Sequence, residues 1–95
     1  MNAIVGLLTV ELYVPDAMSL KDKRSVVSSL LGRLSNKFNV AVAETDALDN
    51  HRLAVLAVST VANDLQHVTR VLDTVLDYIE GEPRAVVQDS QVEYL

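Results

Sequence analysis

The sequence has 95 residues, of which 49% are hydrophobic and 22% charged, and its formal net charge is −5. These values predict one small globular domain spanning residues 1–95 and argue against disorder, which combines low hydrophobicity with high net charge. The chain contains no cysteine. A disulfide framework, a thiolate zinc site and a cysteine nucleophile are therefore excluded.

The hydrophobic residues form only short runs, none longer than about six residues. A membrane-spanning helix needs roughly 20 consecutive apolar residues. The first residues, MNAIVGLLTVEL, lack the basic region that begins a secretory signal. We therefore expect a soluble cytoplasmic protein with no membrane partner.

The charged residues are unevenly distributed along the chain. Residues 21–37 hold five basic residues and one acidic residue, a net charge of +4, whereas the rest of the chain holds three basic and twelve acidic residues, a net charge of −9. The basic residues are Lys21, Lys23, Arg24, Arg33 and Lys37. This asymmetry predicts that one segment of an acidic protein meets an anionic partner.

The first half of the chain predicts a strand, a helix and a short strand. Residues 3–14 are rich in β-formers, and Pro15 ends the strand. Ser19 is a favourable helix N-cap, and the apolar residues that follow recur with helical spacing. We expect this helix to end at Asn36 or Asn39 and a second strand to occupy residues 39–45.

The second half repeats the pattern after a polar turn at 46–50. Residues 52–62 are apolar on both faces, which is typical of a strand inside a sheet. Asn63 is the expected cap of a second helix, with Gln66 closing a capping box and Gly81 at the C-terminal end. Residues 84–95 predict a last strand.

The element order βαββαβ predicts a ferredoxin-like α+β sandwich, with a four-stranded antiparallel sheet and both helices on one face. The expected strand order is 4-1-3-2. Two parallel βαβ units are the alternative, but the short 46–51 connection favours a hairpin. The expected core residues of the helices are Val27, Leu30, Leu34, Val68, Leu72 and Val75.

Several segments carry a resemblance to a known family. The stretch Ser19–Ser25, SLKDKRS, followed by Phe38–Val40 and Val42–Glu44, resembles the YlxP-like family of small bacterial proteins of unknown function. Ile4–Gly6 and Ser59–Asp64 are also similar. The resemblance implies a ferredoxin-like fold and a bacterial cytosolic protein. Members of that family are often encoded beside transcription and translation factors, which implies RNA or the ribosome as a partner.

The chain departs from this family in the 46–51 loop. Family members often carry His, Gln and Trp there, whereas this loop reads DALDNH. Any role of an aromatic side chain in that loop is therefore not expected in this protein.

The basic segment is the main candidate site. A helix N-terminus offers free N–H groups, so Lys21, Lys23 and Arg24 would hold an anion or a phosphate there. Arg33 and Lys37 would extend the RNA-binding surface. The alternative is a set of solvated or structural ion pairs. Lys23 points toward the core side of the helix, where a carboxylate such as Glu44 or Asp64 could pair with it.

Other groupings carry weaker signals. Asp46, Asp49 and His51 could form a metal cluster, but a solvated hairpin turn explains them better. Glu11 and Glu93 could approach as an acid/base pair across two strands, although cross-strand packing is the more ordinary role. His67 falls on the polar face of its helix. We expect no catalytic site, no metal and no cofactor.

The expected function is that of a non-enzymatic accessory or binding protein, with RNA or the ribosome as partner. The alternative is a dimeric regulatory module that binds a small ligand. RNA stacking on the sheet is excluded, because the central strands offer only Tyr13, at a strand end. Two helices cover one sheet face, so Val5 and Leu7 lie on the open face. We therefore expect a homodimer, formed through that face or an edge strand.

Overall fold

The computed structural model describes residues 2–95 and contains six elements in the predicted order. They are β1 (Ile4–Tyr13), α1 (Leu20–Lys37), β2 (Ala41–Asp46), β3 (Leu53–Ala62), α2 (Leu65–Glu80) and β4 (Val86–Tyr94). The strands begin one or two residues later than the sequence predicts. The βαββαβ pattern is confirmed.

The four strands form one antiparallel sheet in the order β2-β3-β1-β4. This is the predicted order, 4-1-3-2, read from the opposite edge, and the parallel alternative is wrong. The longest pairing joins the central strands β1 and β3 over their full length, from Ile4 opposite Ala62 to Tyr13 opposite Leu53. Irregularities interrupt both edge pairings, at Thr45 in β2 and at Gln88 in β4.

The core lies between the sheet and the two helices. Side chains alternate along a strand, so Leu8, Val10 and Leu12 face the helices and are fully buried, as is every second residue of β3 from Ala54 to Val58. Both helices contribute to this one core. All six helical residues predicted for the core are buried, which confirms that both helices pack on the same sheet face.

Local side-chain bonds define where α1 begins. The Ser19 hydroxyl accepts a hydrogen bond from the Asp22 N–H at 3.1 Å, and the Asp22 carboxylate accepts one from the Met18 N–H at 3.0 Å. The cap and the returning acidic side chain satisfy two backbone groups that the helix leaves unpaired. The helix ends at Lys37 with Phe38 as its C-cap, between the two asparagines predicted to end it.

The caps of α2 differ from the prediction at both ends. Asp64, and not Asn63, is the N-cap, because its carboxylate accepts from the Gln66 N–H at 3.0 Å. The Gln66 side chain closes no capping box. Gly81 ends the helix with a φ of −78°, so this position needs no left-handed backbone. Its N–H donates to the carbonyls of Asp77 and Tyr78.

Gly6 lets α2 approach β1 closely. A Cβ atom at this position would lie 2.5 Å from the Val68 side chain and 2.7 Å from that of Leu72. Any side chain here would force Val68 and Leu72 to shift, so the packing favours glycine at this position. The helix can therefore press its core residues directly onto the sheet.

Candidate functional site

Lys23, one of the predicted anion ligands, is fully buried. Its ammonium group donates to the Glu44 carboxylate at 2.8 Å, to the Ala47 carbonyl at 2.9 Å and to the Leu53 carbonyl at 3.0 Å. Glu44 was one of the two carboxylates predicted to pair with it; the other, Asp64, caps α2 instead. All three N–H donors of Lys23 are therefore occupied inside the protein.

These contacts give Lys23 a structural task. Ala47 and Leu53 stand at the two ends of the β2–β3 connection, and Ala47 adopts a left-handed backbone with φ of 58°. A non-glycine residue in that region carries some strain. The lysine binds both ends of the turn from beneath and holds it in this conformation. It cannot reach an external phosphate from there.

The 46–51 turn is further held by its own polar side chains. The Asn50 side chain accepts from the N–H groups of Arg52 and Leu53, each at 2.9 Å. The Asp46 carboxylate accepts from the Ala47 N–H at 2.8 Å. Within residues 2–95, no group of three or more histidine, aspartate or glutamate side chains is placed to hold a metal ion. Asp49 and His51 are exposed.

The exposed part of the basic segment lies on the outer face of α1. Lys21, Arg24 and Lys37 are all exposed, as is Asp22, whose carboxylate accepts from the Met18 N–H, and most of the other exposed residues between them are small. The exposed small residues are Ser25, Ser28, Ser29, Gly32 and Ser35. A Cβ atom at Gly32 would meet nothing within 4 Å. The outer face of α1 is therefore open around Gly32, with basic residues near both ends.

Arg33 belongs to a second basic cluster that the sequence reasoning missed. The side chain of Glu82 is only 2% exposed and binds two guanidinium groups. Arg84 donates to both of its oxygens, at 2.9 and 3.0 Å, and Arg33 donates to one of them. Arg33 also donates to the Tyr78 hydroxyl at 3.2 Å. The pair of arginines thus bridges α1 to the segment that follows α2.

This cluster sets the charge of Glu82. The hydrogen bonds from Arg84 and then Arg33 lower its pKa from 4.5 to about 2, although burial alone would raise it. The Glu82 carboxylate in turn raises the pKa of Arg33 and of Arg84. Two guanidinium groups therefore share one carboxylate, and Lys37 lies close by, 5.6 Å from the Tyr78 ring. The cluster keeps a net positive charge on this flank of α1.

The signal for this cluster in the sequence is faint. Glu82, Pro83 and Arg84 follow the helix end directly, and a charged pair in such a turn is usually solvated. Only the return of the chain beneath α1 places Arg33 against Glu82. The five predicted basic residues therefore separate: Lys21 and Arg24 lie near the start of α1, Arg33 and Lys37 beside Tyr78, and Lys23 inside.

The open face of the sheet has the opposite character. None of the eight lysine and arginine residues of the chain lies in a strand. Val5 and Leu7 lie on this face and are half-buried by their neighbours. Val5 stands between the exposed side chains of Val61 and Leu95, which extend an apolar patch at one end of the face.

Acidic side chains line the β4 side of the open face. Glu11 pairs with Asp89 across the strands, and Glu93 pairs with Leu7. The predicted approach of Glu11 to Glu93 is therefore wrong, because the register places them four residues apart. No acid/base pair forms between these two glutamates. The open face combines an apolar end with an acidic edge.

His67 is exposed on α2, as its position on the polar face predicts. Neither α1 nor α2, the two helices found within residues 2–95, is long and apolar enough to cross a membrane.

Comparison with known proteins supports one family. The chain is 31% identical over 80 residues to the uncharacterized protein YlxP of Bacillus subtilis, covering 84% of this chain and 87% of that protein. A de novo designed protein, Foldit4, shares the fold with a TM-score of 0.50 and 16% identity, covering 98% of this chain and 93% of the design. The model of the family described as "Protein of unknown function (DUF503)" matches residues 5–92. The chain therefore belongs to the DUF503 family, whose function is unknown.

Proposed function

We propose that this protein is a non-enzymatic accessory protein of the cytoplasm that binds RNA or a ribosomal surface through α1. One observation carries the proposal: the exposed face of α1 presents Lys21, Arg24 and Lys37 in a protein whose net charge is −5. Lysine and arginine at a phosphate backbone release condensed counterions, which favours binding without reading a base sequence.

The distribution of charge over the whole molecule supports this orientation. The strands contain five acidic residues and no basic residue, whereas the helices and loops carry eight of each, with the bases concentrated on α1. The acidic edge of the open sheet face would repel a polyanion, whereas the bases of α1 would attract it. The field of the protein would therefore steer α1 toward the phosphates.

The shape of α1 supports the same surface. Gly32 and the serines around it leave room for a partner to come close to the helix backbone. A glycine inside a helix costs about 1 kcal/mol relative to alanine, so an exposed one needs a reason outside helix stability. Close approach of a nucleic-acid backbone would supply that reason.

The residues that would contact the anionic partner are the basic residues that are also exposed. Lys21, Arg24 and Lys37 are free to meet solvent, and Arg33 and Arg84 are 41% and 47% exposed while bound to Glu82. Lys23 is excluded because its donors are satisfied inside the fold. A charge reversal at Lys23 would test folding and not binding.

The test is the salt dependence of binding to RNA and of cosedimentation with ribosomes. Lys21→Glu and Arg24→Glu should each weaken binding and reduce the salt slope by about one, because each removes one phosphate contact. Arg70→Glu is the matched control, since Arg70 is an exposed base on α2 and the charge change is the same. Binding should then be almost unchanged.

Two results would contradict the proposal. Wild-type protein that shows no salt-sensitive binding to RNA or ribosomes would remove the anionic partner altogether. Equal weakening by Arg70→Glu and by the two α1 variants would show that net charge alone matters and that α1 is no binding face.

We also propose that the protein forms a homodimer. The helices cover one face of the sheet, and the other face exposes the apolar end around Val5, with Leu7 beside it. The edge strands β2 and β4 also each pair with only one neighbouring strand, so the backbone along their outer edges is not paired within the sheet. Free edges and an uncovered apolar face are the two features of a sheet that most often recruit a second chain.

A further inference from the structure

The edge strand β4 is the most exposed element of the fold. All but one of its nine residues are exposed, although it is bonded along β1. Val92 lies opposite Leu8 and therefore points to the helix side, where it remains 40% exposed. Tyr94, opposite Gly6, is 46% exposed on the same side. Apart from a hydrogen bond of 2.7 Å between the Tyr94 and Thr69 hydroxyl groups, the two helices leave this edge of the sheet largely uncovered.

The backbone N–H and C=O groups of successive β4 residues point alternately toward β1 and toward the free edge of the sheet. Val5 and Leu95 exchange two hydrogen bonds, at 2.8 and 3.4 Å. In an antiparallel ladder, hydrogen-bonded and non-bonded pairs alternate. The N–H and C=O groups of Ser90, Val92 and Tyr94 therefore point outward, and only the Ser90 N–H has a local acceptor, the Asp89 carboxylate.

The outer edge of β4 lacks most of the features that prevent an edge strand from pairing with another chain. Residues 89–95 contain no lysine, arginine or proline, and the β-bulge at Gln88 lies before them. Natural edges are usually protected by such residues or by a covering element. A second extended chain could pair with this stretch along its whole length.

We propose that β4 pairs antiparallel with β4 of a second copy about a two-fold axis at Val92, which would specify the contact of the homodimer proposed above. In this register Gln91 faces Glu93 of the second copy, and Ser90 faces Tyr94. Asp89 then faces Leu95. The outward groups of Ser90, Val92 and Tyr94 meet their counterparts, and no two acidic residues are opposed.

The charges of β4 select this register over its neighbours. An axis at Gln91 would oppose Asp89 and Glu93, and an axis at Glu93 would oppose the two copies of Glu93. Like charges directly opposite each other destabilise a strand pair. An axis at Ser90 would bring the bulge at Gln88 into the pairing after one residue on each side. With the axis at Val92, seven residues of each copy, 89 to 95, are paired without interruption.

The resulting assembly is a continuous eight-stranded sheet. Because α1 packs over β2 and β3, at the other side of each sheet, the basic face of α1 stays free in both copies. The two copies of α1 then offer two equivalent basic surfaces to one extended polyanion.

The experiment compares two lysine substitutions at adjacent positions by light scattering across a concentration series. Val92→Lys places two lysines side by side at the axis and should raise the dimer dissociation constant at least about tenfold. Gln91→Lys adds the same charge but places it opposite Glu93 of the second copy. It should leave the dimer as tight as wild type or tighter.

A cysteine variant gives a second measurement. The chain contains no cysteine, so Val92→Cys introduces a single reporter. Paired residues in a bonded antiparallel register have Cα atoms about 5.5 Å apart, within the range that a disulfide spans. Oxidation should yield a covalent dimer with Val92→Cys and none with Ser29→Cys, which lies on α1.

The outcomes separate this proposal from the homodimer itself. A wild type that scatters as a monomer at tens of micromolar would overturn both. A dimer that survives Val92→Lys but dissociates with Leu7→Glu would retain the homodimer, place it on the open sheet face and overturn the β4 pairing.

Discussion

The Lys23 ammonium lies 2.8 Å from the Glu44 carboxylate, and this pair joins the first turn of α1 to strand β2. Glu44 is 14% exposed, whereas Lys23 is not exposed at all. Two further bonds from Lys23 satisfy carbonyls of the β2–β3 connection. A buried lysine is tolerated here because every N–H has an acceptor and one acceptor is charged.

Removing the charge of Lys23 should destabilise the fold. Lys23→Met keeps the buried methylene groups but leaves Glu44 and two carbonyls without their donor, which should cost about 3 kcal/mol. Urea denaturation measures the loss. Lys21→Met, at an exposed position on the same helix, should change stability by less than about 0.5 kcal/mol. Equal effects of the two substitutions would contradict the structural role of Lys23.

Stability should depend on pH through Glu82. Its folded-state pKa of about 2 lies below the ordinary value of 4.5, so its contribution is present above pH 4.5 and lost as pH falls toward 2. Each pKa unit is worth about 1.4 kcal/mol, which puts the contribution on the order of 3 kcal/mol.

The measurement is the difference in unfolding free energy between wild type and Glu82→Gln at several pH values. The glutamine cannot titrate, so the difference isolates the carboxylate. It should be largest at pH 5 and above and should shrink as pH decreases from 4.5 to 2. A difference that stays constant over this range would rule out the charged cluster as its source.

Two glycines should respond oppositely to alanine. Gly6→Ala places a Cβ atom 2.5 Å from the Val68 side chain, and such overpacking should cost about 1–3 kcal/mol. Gly32→Ala meets no atom within 4 Å and should stabilise α1 by about 1 kcal/mol. Thermal denaturation of both variants tests this. Destabilisation by Gly32→Ala would show that the outer face of α1 is not open in the free protein.

The N-cap of α2 gives a direct comparison between neighbours. Asp64→Ala removes the acceptor of the Gln66 N–H and should cost about 1 kcal/mol. Asn63→Ala should change stability by less than about 0.5 kcal/mol, because Asp64 already caps the helix. The urea denaturation midpoints of the two variants identify the N-cap residue. A larger loss of stability in Asn63→Ala than in Asp64→Ala would assign the cap to Asn63.

The elements and the core of this protein follow from local sequence patterns. The helical spacing of residues such as Val27, Leu30 and Leu34 reflects burial on one side of a helix, so it can be read without knowing the partner. Strand alternation and the short 46–51 connection likewise predict the antiparallel sheet. The N-cap of α2 does not follow from the local pattern, because the adjacent residues Asn63 and Asp64 are both good capping residues.

The candidate site depends on contacts between distant segments. Sequence alone placed Lys23 near the core and proposed two carboxylates for it, but only the packing of α1 on β2 brings it to Glu44, 21 residues away. Arg33 reaches Glu82 across 49 residues. Hydrophobic periodicity sets which side of an element is buried, whereas the position of each charge relative to its partner depends on how the elements pack. The sequence thus determined the fold and the basic character of α1, and the tertiary structure decided which of its bases remain free for a partner.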